Sequence, residues 1–436
     1  MREMKDSGIS LVGKIPQNWE MKRLKYLFKF CKGLPITKDN LIDQGLPVIS
    51  YGQIHAKTNN GVDVLPHLLR FVDFSYQTFY PLSQVMRGDF VFADTSEDYD
   101  GCGNCVYKRN DSLLFAGYHT IIAHSIIESD NRFFSYIFLT DLWRRQIREN
   151  VSGVKVFSIT QKTLSNSYII LPPLTEQQRI AEFLDRECGK IDGLKADIQA
   201  QIDTLEQYKR SVITEAVTHG LNLSAPMKDS KVWYGQIPSE WKELKGKYVF
   251  KQRNDRGNNV CLQLLSPTQK YGVIPQDKYE ELTGMNAVKL NDSTNYALLK
   301  TIHKGDYCIS LRSFQGGFEY SEYEGVVSPA YQVFYPIITI ADGYYKYLFK
   351  EKGFIDVMNS YTMSLRDGKN IAFDDFGDTF IPVPPLDEQQ EIADYLDNKC
   401  AEIERIIADK KTQIETLDGY KKSLIYEYVT GKKEVV

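Results

Sequence analysis

The feature that most constrains the fold of this 436-residue chain is an internal repeat. Residues 171–220 align with residues 383–432 without a gap, and about half of the aligned positions are identical. A repeat of this length indicates that one structural unit occurs twice in the fold. We therefore expect a molecule with two equivalent halves, and a target that also has two halves.

Each repeated segment predicts a long helix. The proline pairs Pro172-Pro173 and Pro384-Pro385 mark the helix entries, because proline is not tolerated inside a helix. Thr175 and Asp387 are the expected N-cap residues, each followed three positions later by glutamine. Apolar residues then recur every seven positions, a spacing typical of helices that pair along a seam. In the first copy this seam is Leu184, Ile191, Ile198, Leu205 and Val212, widened by Leu194, Ile202 and Tyr208.

The segments that precede the two helices share anchors and differ in between. Gly13 to Trp19 aligns with Gly235 to Trp241, and a basic stretch follows each tryptophan. Between the anchors, short runs of Tyr, Phe, Val and Ile broken by Gly, Asn, Asp and Pro predict β-rich domains with some helix. We therefore divide the chain into a first domain (1–170), a helix with its linker (171–228), a second domain (229–382) and a C-terminal helix (383–436).

Composition and motif content exclude several classes of protein. A hydrophobic content of 42% and a net charge of -4 are ordinary for a soluble globular chain. No apolar run is long enough to span a bilayer and no signal peptide is evident, so we expect a cytoplasmic protein without membrane contact. Seven scattered cysteines predict no disulfide framework.

Motifs for catalysis are also missing from the sequence. No Gly-Lys step is followed by Ser or Thr, which excludes a P-loop. Cys102 and Cys105 form a lone CxxC without the second pair that a zinc site requires, so we interpret them as free thiols. No catalytic triad is evident. The sequence thus predicts no catalytic residue, no metal site and no cofactor in this chain.

Two variable segments that alternate with two copies of a Pro-Pro-Leu-x-Glu-Gln-Gln-x-Ile-Ala helix resemble the specificity (S) subunit of type I restriction-modification systems. The resemblance covers the whole chain, and the Gly-x-Ile-Pro-x-x-Trp openings agree with it. The matching residues are Pro172, Pro173, Leu174, Glu176, Gln177, Gln178, Ile180 and Ala181, with Pro384, Pro385, Leu386, Glu388, Gln389, Gln390, Ile392 and Ala393 in the second copy. The resemblance implies an α+β fold with two globular β-rich target-recognition domains. Two long helices, packed as an antiparallel coiled coil, would separate these domains with pseudo-twofold symmetry.

The function that this resemblance implies is a DNA-sequence-specificity subunit that is itself not an enzyme. Each recognition domain would read one half of a bipartite site in double-stranded DNA. Two methyltransferase subunits carrying S-adenosylmethionine would dock on the repeated helices, and two restriction (translocase) subunits would bring ATP and Mg. The assembled complex would be an adenine DNA methyltransferase and type I restriction endonuclease.

In the second domain, the candidate DNA contacts lie in two loops. Arg312 and Gln315 have side chains that suit guanine and adenine edges, respectively. Arg366 and Lys369 lie in a loop of similar kind. Each residue is equally compatible with an ordinary solvated loop, and Arg366 with an ion pair to Asp367.

In the first domain, the resemblance places DNA-facing loops at two further segments. The candidate residues there are Tyr51, Gln53, His55 and Lys155. An ordinary structural role is an alternative for each of them.

For partner binding, the candidates lie at the two helix entries. They are Glu176, Gln177 and Gln178 in the first copy and Glu388, Gln389 and Gln390 in the second. These residues also suit helix capping, and both roles are compatible. Two other functions fit a chain with paired helices: a coiled-coil scaffold that binds only proteins, and a free-standing DNA-binding regulator without catalytic partners.

Overall fold

The structure, a computed structural model, describes residues 2–9, 12–231, 235–257, 263–285, 296–310, 317–361 and 371–435. Contacts divide the chain into unit 1, residues 1–198 with 412–436, and unit 2, residues 199–411. Each unit therefore combines one β-rich domain with part of each long helix. The division of the chain into four consecutive segments, made from the sequence, stays a prediction.

The first domain alternates short strands and short helices. Its strands are β1 (Met4–Asp6), β2 (Lys14–Pro16), β3 (Glu20–Arg23), β4 (Phe28–Lys32), β5 (Leu46–Ile49), β6 (Arg70–Val72), β7 (Phe90–Ala93), β8 (Thr95–Ser96), β9 (Cys105–Tyr107), β10 (Phe115–Ala116), β11 (Thr120–Ser125), β12 (Phe157–Ser158) and β13 (Tyr168–Leu171). Its helices are α1 (Tyr51–Ile54), α2 (Ser75–Phe79), α3 (Asn131–Phe138), α4 (Asp141–Arg148) and α5 (Gln161–Asn166).

A four-stranded antiparallel sheet in the order β4-β11-β7-β9 forms the centre of this domain. Successive side chains of a strand point to opposite faces. Phe90 and Phe92 of β7 therefore pack into the large core with α3, whereas Val91 packs into a smaller cluster on the other face. Strand β13 pairs with β3 and leads the chain out of the domain.

The first long helix, α6 (Leu174–His219), follows β13 and is unbroken. It begins directly after the proline pair, so Thr175 lies within the first turn. The predicted N-cap at Thr175 is therefore wrong, because the backbone carbonyl of Pro173 already accepts from the N–H groups of Glu176 and Gln177 at 2.9 and 3.0 Å.

The second domain repeats the order of the first with some different insertions. Its strands are β14 (Met227–Asp229), β15 (Gln236–Pro238), β16 (Lys242–Lys245), β17 (Phe250–Arg253), β18 (Leu265–Thr268), β19 (Gly272–Pro275), β20 (Lys300–Ile302), β21 (Tyr307–Ile309), β22 (Phe318–Tyr320), β23 (Gly325–Val327), β24 (Gln332–Pro336) and β25 (Phe380–Val383). Its helices are α7 (Gly246–Val249), α8 (Gln276–Thr283), α9 (Asp342–Leu348), α10 (Lys352–Ser360) and α11 (Phe373–Asp378). The second long helix, α12 (Leu386–Val429), begins before Asp387, which is therefore not its N-cap either.

The central sheet of unit 2 has the order β17-β24-β21-β22, which corresponds strand by strand to the sheet of unit 1. The pair β16-β25 likewise corresponds to β3-β13. Tyr307 and Ile309 of β21 face the large core, and Cys308 faces a smaller cluster. The prediction of two equivalent halves is confirmed at the level of strand pairing.

Within each unit, the segments of α6 and α12 pack antiparallel. In unit 1, Lys195 pairs with Asp418 at 2.5 Å and Asp192 pairs with Lys421 at 2.7 Å. In unit 2, Lys209 pairs with Glu404, and the Lys410 ammonium donates to the Gln201 amide oxygen at 2.5 Å.

As the residue number rises along one helix, the number of its partner falls, so the coiled-coil prediction is confirmed within each unit. Of the residues expected to widen the seam, Ile202 is buried but Leu194 and Tyr208 are exposed.

Candidate nucleic-acid interface and helix-entry nodes

Three side chains fasten the entry of α6 to the first domain. The indole Nε1 of Trp19 donates to Glu176 Oε2 at 2.7 Å. Gln177 donates from Nε2 to the Pro172 carbonyl at 2.8 Å, and its Oε1 accepts from the Asp130 backbone N–H at 3.0 Å. Because Asp130 caps α3, this network, the unit 1 entry node, connects the helix to the core of the domain.

The unit 2 entry node repeats this arrangement. Trp241 Nε1 donates to Glu388 Oε2 at 2.8 Å. Gln389 donates to the Pro384 carbonyl at 2.9 Å and accepts from the Ala341 N–H at 2.9 Å. The motifs that carry the family resemblance are thus contact partners in each unit, although they lie far apart in sequence.

A glycine that follows the end of the other long helix lies against each node. Gly431, with φ of 69°, lies against the unit 1 node, and a Cβ there would come within 2.4 Å of Pro16 and 3.1 Å of Trp19. Gly220, with φ of 74°, has the same place in unit 2, where a Cβ would lie 3.2 Å from Trp241. Both positions favour glycine because of the left-handed conformation and the close approach of the indole.

These contacts bear on the predicted partner-binding residues. Gln177 and Gln389 are only 3% and 2% exposed, and their side chains are hydrogen-bonded within the chain. Direct partner contact by these two glutamines therefore does not fit the structure. Gln178 and Gln390 are exposed, and their role in partner binding stays a prediction, as it does for Glu176 and Glu388.

The two nodes differ in charge. Burial raises the pKa of Glu176, but hydrogen bonds from Arg2, Asn18 and Trp19 outweigh it, so the net pKa lies below the usual range. Burial also raises the pKa of Glu388, where the Trp241 hydrogen bond compensates only in part and neighbouring carboxylates raise it further. The carboxylate of unit 1 is thus held charged more firmly than its counterpart.

A second link joins each domain to its long helix. The hydroxyl of Tyr136 in α3 donates to Asp185 Oδ1 at 2.7 Å, and that of Tyr347 in α9 donates to Asp397 Oδ1 at 2.7 Å. Tyrosine and aspartate occupy corresponding positions in the two units. The heptad pattern gave no indication of these aspartates, because they lie outside the apolar seam.

At one end of the central sheet of unit 1, four loops converge. The long loop 94–104 connects β7 to β9, and within it β8 pairs with β12 of the segment 150–158. The segments 50–55 and 117–119 border the same loop. The structure thus brings together both predicted DNA-facing segments of the first domain. We call these four segments the unit 1 reading face.

His55 holds this face together. Its Nε2 lies 2.8 Å from the Thr95 carbonyl oxygen and therefore donates to it, and its Nδ1 accepts from the Asn104 amide at 3.1 Å. Both ring nitrogens are therefore used within the chain. The position of His55 explains how the segment 50–55 supports the loop 94–104, and base contact by its nitrogens stays an untested prediction.

The other three predicted residues occupy different places on the face. Tyr51 is half-buried in an aromatic group, with ring centroids 5.6 Å from Tyr118 and 5.4 Å from His119. Gln53 accepts from the Ser50 backbone N–H at 3.1 Å, which stabilises the first turn of α1. Lys155 is exposed in the segment that precedes β12. DNA contact by these residues stays a prediction.

His119 was not among the predicted residues. It is the one non-glycine residue with positive φ, 53°, in the described part of the chain. Its exposed ring lies with Nδ1 3.2 Å from Asp94 Oδ1. Backbone strain of this kind is concentrated at functional sites. The sequence offered no indication of it, because positive φ is uncommon even for histidine and is set here by the surrounding structure.

The chemical character of the unit 1 reading face is acidic and aromatic. Glu97, Asp98, Tyr99 and Asp100 lie exposed in the loop 94–104. Asp98 Oδ1 accepts from the Gly101 backbone N–H at 2.5 Å, and Asp100 lies 3.5 Å from an Arg148 nitrogen. Carboxylates accept hydrogen bonds from exocyclic amino groups of bases, cytosine N4 above all.

In unit 2, the corresponding segments hold the other predicted residues. Arg312 and Gln315 lie between β21 and β22, the chain position of the loop 94–104 in unit 1. Arg366 and Lys369 precede α11, the chain position of Lys155. All four lie outside the described residues, whereas the flanking Ser310 N–H donates to the Gly317 carbonyl at 2.7 Å.

The thiols of the CxxC segment are buried structural groups. Burial raises the pKa of Cys105 to about 12, and burial also raises the pKa of Cys102. Over the described residues, no group of three His, Cys, Asp or Glu side chains is arranged to hold a metal ion. Over the same residues, no helix has the length and apolar character to cross a membrane.

Comparison with known proteins agrees with this geometry. The family model described as type I restriction modification DNA specificity domain matches residues 16–204 and again 237–416. A protein of Methanocaldococcus jannaschii that is provisionally named the type I restriction enzyme MjaX specificity subunit is 23% identical to this chain. The match covers 97% of this chain and 96% of that protein. The MjaVIII specificity subunit from the same organism is also 23% identical, over 97% of this chain and 94% of its own.

A solved structure shows the same fold. It comes from work on complex assembly and conformational transition of the type I R-M system, and it has a TM-score of 0.66 at 15% identity. The match covers 96% of this chain and 99% of that one. With two family domains over most of its length, this chain belongs to the type I restriction-modification DNA specificity family and is a specificity subunit with two target-recognition domains.

Proposed function

We propose that each recognition domain reads one half of a bipartite DNA site, with the unit 1 reading face contacting one half-site. The observation that carries this proposal is that two matching central sheets end, at the same edge, in loops of different sequence. Loops held by a rigid scaffold are where recognition residues are usually found. Two different sets of loops on one scaffold suit two different half-sites.

In this proposal the phosphate backbone and the bases are contacted by different groups. Carboxylates at the loop tip accept from base amino groups, and Lys155 and other exposed basic residues approach phosphates. Glu97 is the best placed of the carboxylates, because it is exposed and, among the described residues, no ion pair engages it. His119, held in its strained conformation, adds an aromatic edge next to Tyr51.

The partners follow from the same proposal. Methyltransferase subunits, two per chain, dock on the units and carry S-adenosylmethionine for adenine methylation. Restriction subunits bring ATP and Mg. Chemistry therefore takes place on the partners, and this chain positions them on DNA.

The proposal is tested by mapping the methylated bases of the host genome. We expect co-expression of the chain with its methyltransferase subunit to mark adenines in a split motif, two defined half-sites with an unspecified spacer. Glu97→Gln is expected to relax one position of one half-site by at least about fivefold, since one good base contact contributes about 1–3 kcal/mol. The other half-site should not change.

The matched control is Glu128→Gln, the same chemical change in the loop that follows β11, at the opposite end of the sheet. It should leave both half-sites intact. A methylated motif without two parts would contradict the proposal. An effect of Glu97→Gln on both half-sites would contradict the assignment of the face. A protein-only scaffold would show no preference among DNA sequences.

A further inference from the structure

Both recognition domains expose the same small apolar surface. In unit 1 it consists of Tyr26, Ile126 and Ile127, which are 60%, 57% and 36% exposed. In unit 2 it consists of Tyr248, Ile337 and Ile338, which are 59%, 49% and 37% exposed. We call these the unit 1 patch and the unit 2 patch. The two domains have diverged widely, yet residue types and exposures agree at these three positions.

The backbone around the two patches is also the same. In unit 1, the Ile126 N–H donates to the Leu27 carbonyl at 2.9 Å, directly beside Tyr26. In unit 2, the Ile337 N–H donates to the Val249 carbonyl at 2.8 Å, directly beside Tyr248. Each patch therefore lies where the first strand of the central sheet begins and the neighbouring strand ends. These strands are β4 and β11 in unit 1 and β17 and β24 in unit 2. In unit 1 an open depression of about 500 Å³ adjoins it.

Basic side chains border both patches. The Lys25 ammonium lies 5.1 Å from the centroid of the Tyr26 ring, and the Lys247 ammonium lies 5.8 Å from that of Tyr248. Arg23 and Lys245 occupy corresponding neighbouring positions. In unit 2, Asp378 pairs with Lys245 at 3.0 Å and with Lys247 at 2.8 Å, so the two lysines and this carboxylate together keep one net positive charge. An apolar centre with a basic border is complementary to a partner surface that carries an aliphatic or aromatic side chain flanked by carboxylates.

The sheet register places each patch away from the loops that vary. In unit 1, β11 pairs with β4 from Ile121↔Lys32 to Ser125↔Phe28, so the patch lies at the Phe28 end. The reading face lies at the other end, where Thr120 pairs with Ala93. In unit 2, Phe250↔Pro336 marks the patch end of β17 and β24, and Ile309↔Gln332 the opposite end.

We infer that the two patches are equivalent anchor points for two copies of one partner, the methyltransferase subunit, which docks through an acidic surface with an apolar centre. This inference rests on the proposed function, which supplies the partner. A partner present twice needs the same surface twice, and two domains that read different half-sites have no reason to keep identical base contacts. Docking at the patch end leaves the reading face free for DNA.

Each patch is one anchor within a larger interface, because three side chains are far fewer than the roughly 20–30 residues a side of a stable interface. A charge buried at such an anchor without a partner is strongly unfavourable. Ile127→Glu and Ile338→Glu therefore place a carboxylate where an acidic partner surface would meet it. Since both side chains are partly exposed, neither change removes a core residue.

The experiment uses the full chain co-expressed with the methyltransferase subunit, and native mass spectrometry counts subunits per chain. We expect two copies on the wild type, one on Ile127→Glu, one on Ile338→Glu and none on the double variant. The matched controls are Leu82→Glu in unit 1 and Leu298→Glu in unit 2, both exposed leucines outside the patches, which should keep two copies. Thermal melting checks that all variants stay folded.

The outcomes separate this inference from the proposed function. A double variant that is folded and still carries two copies overturns the inference and leaves the proposed function intact. A wild-type chain that captures no methyltransferase subunit overturns the proposed function, and the inference with it. A double variant that keeps both copies but loses affinity for its methylated site assigns the patches to DNA, which also overturns the inference.

Discussion

The two units have the same order of strands in their central sheets and the same contacts at their helix entries, but their interiors differ in charge. In unit 1, β9 contributes Val106 and the turn after α3 contributes Leu139. At the corresponding positions, unit 2 has Glu319 and Lys350, which form an ion pair with nitrogen and oxygen 2.5 Å apart. The Glu319 side chain is buried, and that of Lys350 is partly exposed. The fold of unit 2 therefore accommodates a charged pair at positions where unit 1 has two apolar side chains.

The charged pair is incompletely satisfied. Glu319 Oε2 is buried and, among the residues that the structure describes, has no hydrogen-bond partner. Burial raises the pKa of Glu319 to about 7, although the Lys350 ammonium opposes the rise. Burial likewise lowers the pKa of Lys350. The comparison teaches that both units retain the contacts to the long helices and large aromatic side chains such as Phe28 and Phe250 in their cores, whereas the packing differs in charge at this pair of positions.

The largest effect is expected from the retained contacts. Trp19→Ala and Trp241→Ala should each lower the free energy of unfolding of their own unit by about 3–5 kcal/mol, because each removes a fully buried indole. Denaturant unfolding followed by hydrogen exchange measures each unit separately. Phe79→Ala, an exposed ring in unit 1, is the control and should stay within about 0.5 kcal/mol. A large loss in only one unit would break the equivalence of the entry nodes.

A double-mutant cycle sharpens the contrast between the interiors. Lys350→Leu alone leaves the Glu319 carboxylate buried without its counter-charge and should cost about 3–5 kcal/mol. Glu319→Val together with Lys350→Leu installs the residues of unit 1 and should be neutral or stabilising by about 1–4 kcal/mol. Unfolding of unit 2 in denaturant measures both. A double variant as unstable as the single one would show that the pair has a structural role that unit 1 fulfils differently.

The same pair predicts a pH dependence confined to unit 2. The folded pKa of Glu319, about 7, lies above its unfolded value of 4.5, so the folded state holds a proton that the unfolded state has released. Stability should therefore fall as the pH rises through this window, by up to roughly 3 kcal/mol at about 1.4 kcal/mol per pKa unit.

Melting of unit 2 at pH 5 and pH 8, compared with the variant Glu319→Val, Lys350→Leu, measures this slope. Glu322→Gln, an exposed carboxylate nearby, is the control and should leave the slope unchanged. Equal slopes in the wild type and the double variant would contradict the assignment to Glu319.

The smallest effects concern the tyrosine links. Tyr136→Phe and Tyr347→Phe each remove one hydrogen bond to an aspartate of a long helix and keep the ring, so each should cost about 0.5–1.5 kcal/mol. Hydrogen exchange in α3 and α9 is the measurement, with Tyr99→Phe, an exposed ring in the loop 94–104, as a control. A cost in one unit and none in the other would show that only one domain depends on this link.

Much of the fold followed from local pattern. The proline pairs predicted both helix entries to within two residues, and the heptads predicted buried positions such as Leu184 and Leu396 correctly. The wrong N-caps have a simple cause: the helices begin directly after proline, which leaves no separate capping residue. The segments 50–55 and 153–155 were predicted through family resemblance rather than through any physical property of their residues, and their contact with DNA stays a prediction.

The sequence by itself determined that the molecule is double, that two long helices follow two β-rich domains, and that each helix opens with the same motif. These are properties of order along one chain, which repeats and periodicity report directly. Only the tertiary structure decided which side of the motif faces inward. Glu176 meets Trp19, and Gln177 meets the cap of α3, because folding brings together residues far apart in sequence. The reading face and the two patches likewise depend on which end of a sheet a loop leaves, and that is decided by strand pairing.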